Sequence, residues 1–426
     1  MQSKLAPLAI TAAAAMVLLA GCSGNTDSEG GEDQVTLTFE SWRTEDAAIW
    51  EDQILPVFYE SHPNIRIEFS PTLADDYDAA LRARFEGGTA GDLITCRSGS
   101  RNLATIDEGF LEPIDGLSGL DNFSDLSLSY FGSAEGDPYC VPAASVMAAF
   151  FYNKAIFDEL GLSVPTTIDE FHTMLQKVKD DGTYTPLAYG TANDWILTAM
   201  GIYNVGPNYW QGEDGRQGLI DGTKKFTDPE FVAALEEFST WSDYMPNGFE
   251  SLTYTDAQQM FALGQGAVFP SGSWDITAVT ANGLDIGVFA PPVQNAGDQL
   301  YVQSHPDMAI GINAASEHKA EAEVFLEWIA TPEFGALYAD ALPGFFPMIE
   351  GPVTLEDPLA QAWSDLKDGA ELTPRVGQFQ LSTGEPTFES QLRQRAPGLL
   401  TGNISPADTA AEVQASLESW YAPQQG

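Results

Sequence analysis

The sequence predicts an α/β protein of two wound lobes, each a sheet covered by helices. Two observations carry that expectation. The chain has 426 residues, too many for one ordinary core, and 44% of them are apolar, enough to fill two. From residue 35 onward the apolar period alternates between that of a strand and that of a helix, the pattern of a wound sheet.

The elements follow in order. "VTLTFE" (35–40) puts Val35, Leu37 and Phe39 on one face of a strand. "EDAAIWEDQILPVFYESHP" then spaces Trp50, Ile54, Val57 and Phe58 as in a helix, which Pro56 is expected to kink or shorten. "NIRIEF" (64–69) alternates through Ile65, Ile67 and Phe69. "DYDAALRARFEGG" spaces Tyr77, Leu81 and Phe85 by four and stops at glycines, and "DLITC" (92–96) is a third strand. After "PYCVPAA" (138–144) a second series begins with the strand-like "VMAAFFYN" and the short helix "KAIFDELG", closed by Gly161. In "TIDEFHTMLQKVKDDG" Thr167 is the expected N-cap, Glu170 completes a capping box, and Phe171, Leu175 and Val178 form the apolar side. Further helices are "DPEFVAALEEFSTWSDY", "SEHKAEAEVFLEWIATPEF" and "SPADTAAEVQASLESW", the last capped by Ser405 with Pro406 in its first turn.

The N-terminal segment reads as an export signal. A short basic start (Met1–Lys4) precedes "LAPLAITAAAAMVLLA" (5–20), shorter than the roughly 20 residues of a membrane helix. It closes on "LAGC" (19–22), which matches the lipobox of bacterial lipoprotein signals, so residues 1–21 are expected to be removed and Cys22 to carry a lipid. The alternative is an ordinary signal with a cysteine near its cleavage site. Residues 22–34 hold no aliphatic or aromatic side chain after the cysteine and are expected to form a flexible tether. The body would then stand outside the membrane, attached through that lipid alone.

Composition narrows the function classes. Eighteen basic residues face 62 acidic ones, a formal charge of −44. Nucleic acid binding needs clustered Lys and Arg, so it is excluded, as is docking flat on anionic lipid. Such a surface fits an exposed, saline setting. Beyond Cys22 the chain has Cys96 and Cys140, which an oxidising compartment would pair, two buried thiols being the alternative. The four histidines, at 62, 172, 305 and 318, are scattered; His62, His305 and His318 are read in loop or helix-start contexts, and no metal site is expected. There is no G-x-S-x-G elbow, no H-E-x-x-H and no Cys/His cluster, so neither cofactor nor catalytic residue is expected. With so many carboxylates, a carboxylate pair carries almost no information about glycoside hydrolysis, the remaining enzyme alternative.

"FFYNKAIFDELGLSVPTTIDEF" (150–171) resembles the extracellular solute-binding proteins of carbohydrate ABC importers, the family of maltose-binding protein. In order along the chain, "DYDAALRARFEGGTAGDLI", "GDPYCVP", "MFALGQGAVFPSGSWDI", "AIGINAASEHKAEAEVFLEWIATPEF" and "LPGFFPM" are similar to further parts of that family, over most of 35–420. The resemblance implies a periplasmic-binding-protein-like fold, two α/β lobes joined by three hinge segments with the ligand between them. It places the crossings near 142–146, 288–292 and 342–346. One lobe would then comprise 35–143 and 292–342, the other 144–291 and 343–426. It also implies a monomeric receptor that takes a mono- or short oligosaccharide to the transmembrane subunits of an ABC permease.

A sugar offers C–H faces to aromatic rings and hydroxyl edges to amides, carboxylates and guanidinium groups. "VFPSGSWDITAV" (268–279) presents Trp274 among turn formers, with Asp275 beside it, and resembles the aromatic turn that faces the cleft. "ESWRTED" (40–46) follows the first strand, where open α/β sheets bind ligands, and offers Trp42, Arg43 and Glu45. Arg97 and Ser98 after the third strand match cleft positions of the family, which usually has an aromatic where this chain has Cys96. Ser145 lies at the first crossing, and Phe345 in "PGFFP" at the third, as a lid over the sugar. "TANDWIL" and "GPNYW" add Asn193, Asp194, Trp195 and Trp210, with helix packing the alternative for both tryptophans. "GQFQLSTGEPTFES" has no tryptophan where maltose-binding protein has an aromatic cluster, so a long stacked glucan path is not expected.

Overall fold

The computed structural model describes residues 34–351 and 353–426. The expected leader, Cys22 and all but the last residue of the tether lie outside the described residues. The first three strands are β1 (Val35–Ser41), β2 (Ile65–Pro71) and β3 (Leu93–Cys96), with β2 and β3 both parallel to β1. Between β1 and β2 the helix runs in three pieces, with a wide turn at Trp50–Ile54 before Leu55–Ser61. Pro56 has no N–H to return to the preceding turn, and the helix widens there. That shift in phase leaves Val57 exposed and buries Leu55 with Trp50, Ile54 and Phe58. Tyr77, Leu81 and Phe85 of the helix Tyr77–Gly87 are buried as their spacing predicts.

The remaining strands are β4 (Cys140–Asn153), β5 (Thr185–Leu187), β6 (Gly266–Gly272), β7 (Ile286–Phe289), β8 (Leu300–Ile312), β9 (Phe346–Pro347) and β10 (Ala370–Thr373). The main path of the sheet is β2-β1-β3-β8-β4-β6-β5, with β10 beside β8 and β7 and β9 beside β4. Two long antiparallel strands, β4 and β8, therefore link the lobes. Their one end pairs in the first lobe (Cys96↔Ala309, Cys140↔Gly311), and their other end pairs with β6, β7 and β10 in the second. The register of β4 slips around Ala144, where β9 also pairs with it. A disulfide joins Cys96 to Cys140, both buried.

Each lobe has its own core. One cluster gathers Leu37, Phe39, Trp50 and Phe325; a second gathers Phe150, Phe171, Trp210, Trp241 and Leu392. A third, smaller one lies around Phe151, Phe269 and Trp363. In the second lobe the Thr167–Glu170 capping box is formed, and Phe171, Leu175 and Val178 are fully buried. Two expectations are corrected. Residues 288–292 do not cross between lobes: β7 pairs with β4, and Val293 bonds to Thr166 and Ile168 of the second lobe, so the passage lies within β8. His305 is not in a loop but in the middle of β8, opposite Val146. Pro306 and Pro142, which cannot donate to a ladder, both sit inside paired strands at the irregular part of this one.

Candidate functional site in the interlobe cleft

Trp274 follows β6 in the short turn Ser273–Asp275. Gly272 lets the ring lie against the strand end, because a Cβ there would fall 1.9 Å from the indole. Ser273 anchors the turn to the third passage by donating to the carbonyl of Gly344 at 2.5 Å. The indole Nε1 donates to the Tyr254 hydroxyl at 2.8 Å, and the ring stands edge-on to His305 at 6.3 Å. Half-buried, Trp274 is the single apolar side chain among the described residues that packs against the main cores of both lobes. It marks where the two lobes meet.

Asp275 does not face that space. It is buried, accepting from Ser271, Tyr254 and, at 2.8 Å, the Gln258 amide. Burial pushes its carboxyl up to about 6 in spite of those hydrogen bonds. It orients Tyr254, which in turn holds Trp274. Three other sequence-predicted residues are also corrected or narrowed. Phe345 is no lid but a buried member of the first core, with the Arg43 guanidinium 4.5 Å above its ring. Trp210 is fully buried in the second core, stacked on Phe231 at 5.5 Å. Trp42 is buried against Tyr77, and the Arg97 guanidinium covers one of its faces at 4.4 Å. An aromatic after a strand end and an aromatic under a helix share the same sequence context, which is why these rings read alike.

The polar candidates are distributed along both walls. Arg43 is paired with Asp46 and reaches Glu45 at 3.2 Å; burial works against its charge, but Asp46 keeps the guanidinium above its ordinary pKa. Arg97 binds Asp78 at 2.6 Å, and Ser98 donates to the Pro306 carbonyl at 2.7 Å. Ser145 donates to the Phe346 carbonyl at 3.3 Å, a contact within the hinge. Asn193 reaches across to Asp75 of the first lobe at 2.8 Å, Asp194 lies 3.6 Å from Arg393, and Trp195 packs edge-on to Tyr254 at 4.9 Å.

The residues that sequence reasoning missed lie on β8 and after β10. Gln303 and His305 are buried in the strand, and Asp307 follows. Burial, aided by the charge of Arg375, lowers His305 to about 4, so it is neutral at ordinary pH. Burial would raise Asp307, but His305, Arg43 and Arg375 together hold it below the usual carboxylate range. β10 runs parallel to β8 with Thr373 opposite Gln303, which carries Arg375 to the level of His305. Glu389 accepts from Thr198 at 2.8 Å, from Tyr203 at 2.5 Å and from Arg393. A signal existed: "QSHPD" is a polar run inside an otherwise apolar strand, and "TPRVG" holds one of few cations in a very acidic chain.

Among the described residues no group of three or more His, Cys, Asp or Glu is placed to hold a metal, and no helix is long and apolar enough to cross a membrane. Two α/β lobes linked by three passages, with an aromatic turn and a ring of guanidinium, amide and carboxylate groups between them, define a two-lobed binding protein. The family model described as Bacterial extracellular solute-binding protein matches residues 41–336, and the chain belongs to that family. The multiple sugar-binding protein of Streptococcus mutans is 26% identical over 76% of this chain and 78% of its own length. The diacetylchitobiose binding protein of Streptomyces coelicolor is 24% identical over 98% of each chain. Among solved structures, a chitin oligosaccharide binding protein superposes with a TM-score of 0.76 at 21% identity, over 92% of this chain and all of the other.

Proposed function

We propose that this chain is the receptor of an ABC importer for a mono- or short oligosaccharide. It takes the sugar between its lobes and hands it to the permease without chemistry on the ligand. The observation that carries the reading is Trp274, an indole held by a hydrogen bond at its edge where both lobe cores meet. Trp195 and Tyr254 extend an aromatic surface on the same side, while Arg375, whose buried Nε–H has no partner among the described residues, supplies a donor for the ligand. The sugar-binding names of the relatives support the same ligand class. Closure around the sugar would present both lobes together to the permease. The glycoside hydrolase alternative finds no support: the family and its relatives are binding proteins.

In this reading the protein is extracytoplasmic, monomeric and anchored by a lipid on Cys22. Mass spectrometry of membrane-extracted protein is expected to find a chain that starts at diacylated Cys22; a product cleaved elsewhere with that thiol free would refute the anchor. A thermal-shift screen against a carbohydrate library tests the ligand class, since a ligand at about 100 times its Kd adds about 2.7 kcal/mol. Incubating each stabilising sugar with the protein and finding it unchanged is the expected result. Hydrolysis products would overturn the receptor reading.

A further inference from the structure

Arginine is unevenly spread in this protein. Only 18 of 426 residues are basic, yet Arg43, Arg97, Arg101, Arg375 and Arg393 gather around the space between the lobes. Four of them have direct carboxylate partners: Arg43 pairs with Asp46, Arg97 and Arg101 share Asp78, and Arg393 pairs with Glu389. Arg375 is different. Its Nε–H is buried and has no hydrogen-bond partner among the described residues. Asp307 and Glu389 act on it only through space, while burial and the neighbouring Arg393 lower its pKa to about 10. Glu389 is already engaged by Arg393, Thr198 and Tyr203, and Asp307 is shared with Arg43 and His305.

Two more polar atoms close to it in the chain and sheet are also unsatisfied. The side-chain carbonyls of Gln303, in β8, and Gln378, three residues after Arg375, are buried without a donor. Buried polar groups are normally bonded, so orphans on Arg375 and on residues near it in the chain (Gln378) and across the sheet register (Gln303) leave donors and acceptors free for a partner from outside. The partner must accept from a guanidinium and donate to amide oxygens. The Nε and Nη hydrogens of a guanidinium form a planar fork that matches the two oxygens of a carboxylate or a sulfate, and hydroxyl groups donate to amides.

We propose that Arg375 is the anchor for an anionic substituent, a carboxylate or a sulfate ester, on the bound sugar, with Gln303 and Gln378 accepting from adjacent hydroxyls. This rests on the sugar-receptor reading and narrows it to acidic saccharides. Arg375 is the one of these five guanidinium groups with no direct carboxylate partner among the described residues. The chain's net charge of −44 works against an anion at long range, so the anchor has to act at contact distance, where a guanidinium fork is strongest.

The test is calorimetry on the full chain and on Arg375→Gln. The probes are neutral disaccharides (cellobiose, xylobiose, chitobiose, maltose), digalacturonate, dimannuronate and a sulfated carrageenan disaccharide. An acidic probe is expected to bind, and Arg375→Gln to weaken it by about 10- to 100-fold, as befits a lost charge-assisted bond. Arg375→Lys, which keeps the charge without the fork, should fall between the two and serves as the readout if the glutamine variant does not fold. Preference for digalacturonate over the sulfated disaccharide, or the reverse, identifies the anion. If neutral probes bind and all acidic ones do not, the inference falls while the sugar receptor stands. If an acidic probe binds both variants as tightly as the parent, Arg375 is not its anchor. If no saccharide of either kind binds, the sugar-receptor reading falls and takes this inference with it.

Discussion

At the scale of single residues, two tryptophans sit in different environments, Trp210 buried inside one core and Trp274 half-buried between the two lobes. Trp210 fills the second core against Phe231, so Trp210→Ala should leave a cavity and cost about 3–5 kcal/mol in denaturant unfolding. The affinity of the molecules that remain folded should be unchanged. Trp274→Ala should do the reverse: a nearly unchanged melting temperature, with sugar affinity weakened by about 1.5–3 kcal/mol in calorimetry. Unchanged affinity with a lowered melting temperature would make Trp274 a packing residue. His305 supplies a pH test. Its folded pKa of about 4 lies below the ordinary histidine value, so its contribution is present above about pH 6.5 and is lost as pH falls toward 4. Asp275, raised to about 6, has the opposite sign: its contribution is present below the ordinary aspartate pKa and is lost as pH rises through about 6. Calorimetric melting of His305→Gln beside the parent isolates the histidine's contribution. The parent's advantage should shrink by up to about 3 kcal/mol between pH 7 and pH 4. A difference that does not vary with pH would contradict a buried neutral histidine.

At the scale of elements, β8 organises the molecule. It pairs with β3 of one lobe, β10 of the other and β4 in both, so any force that separates the lobes must act through β4, β8 and the strand-poor segment at 342–347. The disulfide pins the first-lobe end of this arrangement, because Cys96 and Cys140 flank β8 at Ala309 and Gly311. With its two cysteines 44 positions apart in the sequence, its loss should cost about 4 kcal/mol by loop entropy. Cys96→Ser with Cys140→Ser, compared with the parent in urea with and without reductant, measures it. The reductant should shift the parent and leave the double variant unmoved. The local rules worked well for the helices. The capping box at Thr167 and Glu170, the spacing of Tyr77, Leu81 and Phe85 and the Ser405 cap were legible because each depends on neighbours within a turn or two. The phase change around Pro56 was only half legible: the proline announces a defect but not which side chain turns outward.

At the scale of the whole molecule, the lobes touch at the mouth of the cleft. Asn193 bonds Asp75, and Phe379, a bulky residue at a φ of +61°, packs near Gly99 and 5.2 Å from Tyr130. Gly99 has a φ of +78°, and a Cβ there would meet the Phe379 ring at 3.1 Å, so this approach requires glycine. Contacts made only when the lobes are together favour the closed form by their own free energy. Asp75→Ala should therefore weaken ligand binding by about 0.5–1.5 kcal/mol and leave the unfolding of each lobe unchanged. A double-mutant cycle with Asn193→Ala, read by calorimetry, should show the two losses to be coupled; independent losses would mean the pair does not hold the lobes together.

By itself the sequence determined the α/β class, most elements, the pairing partners available to two cysteines and the turn that carries Trp274. These follow from period, caps and composition, which act over a few residues. Only the tertiary structure decided which aromatics face the cleft, because burial of Trp42, Trp210 and Phe345 depends on helices and strands far along the chain. It alone brought Arg375 beside His305, through the parallel register of β10 on β8 that pairs Ala370 with Leu300 and Thr373 with Gln303. Side chains converge at such a site by strand pairing and lobe contact, and neither leaves a periodic mark in the residues concerned.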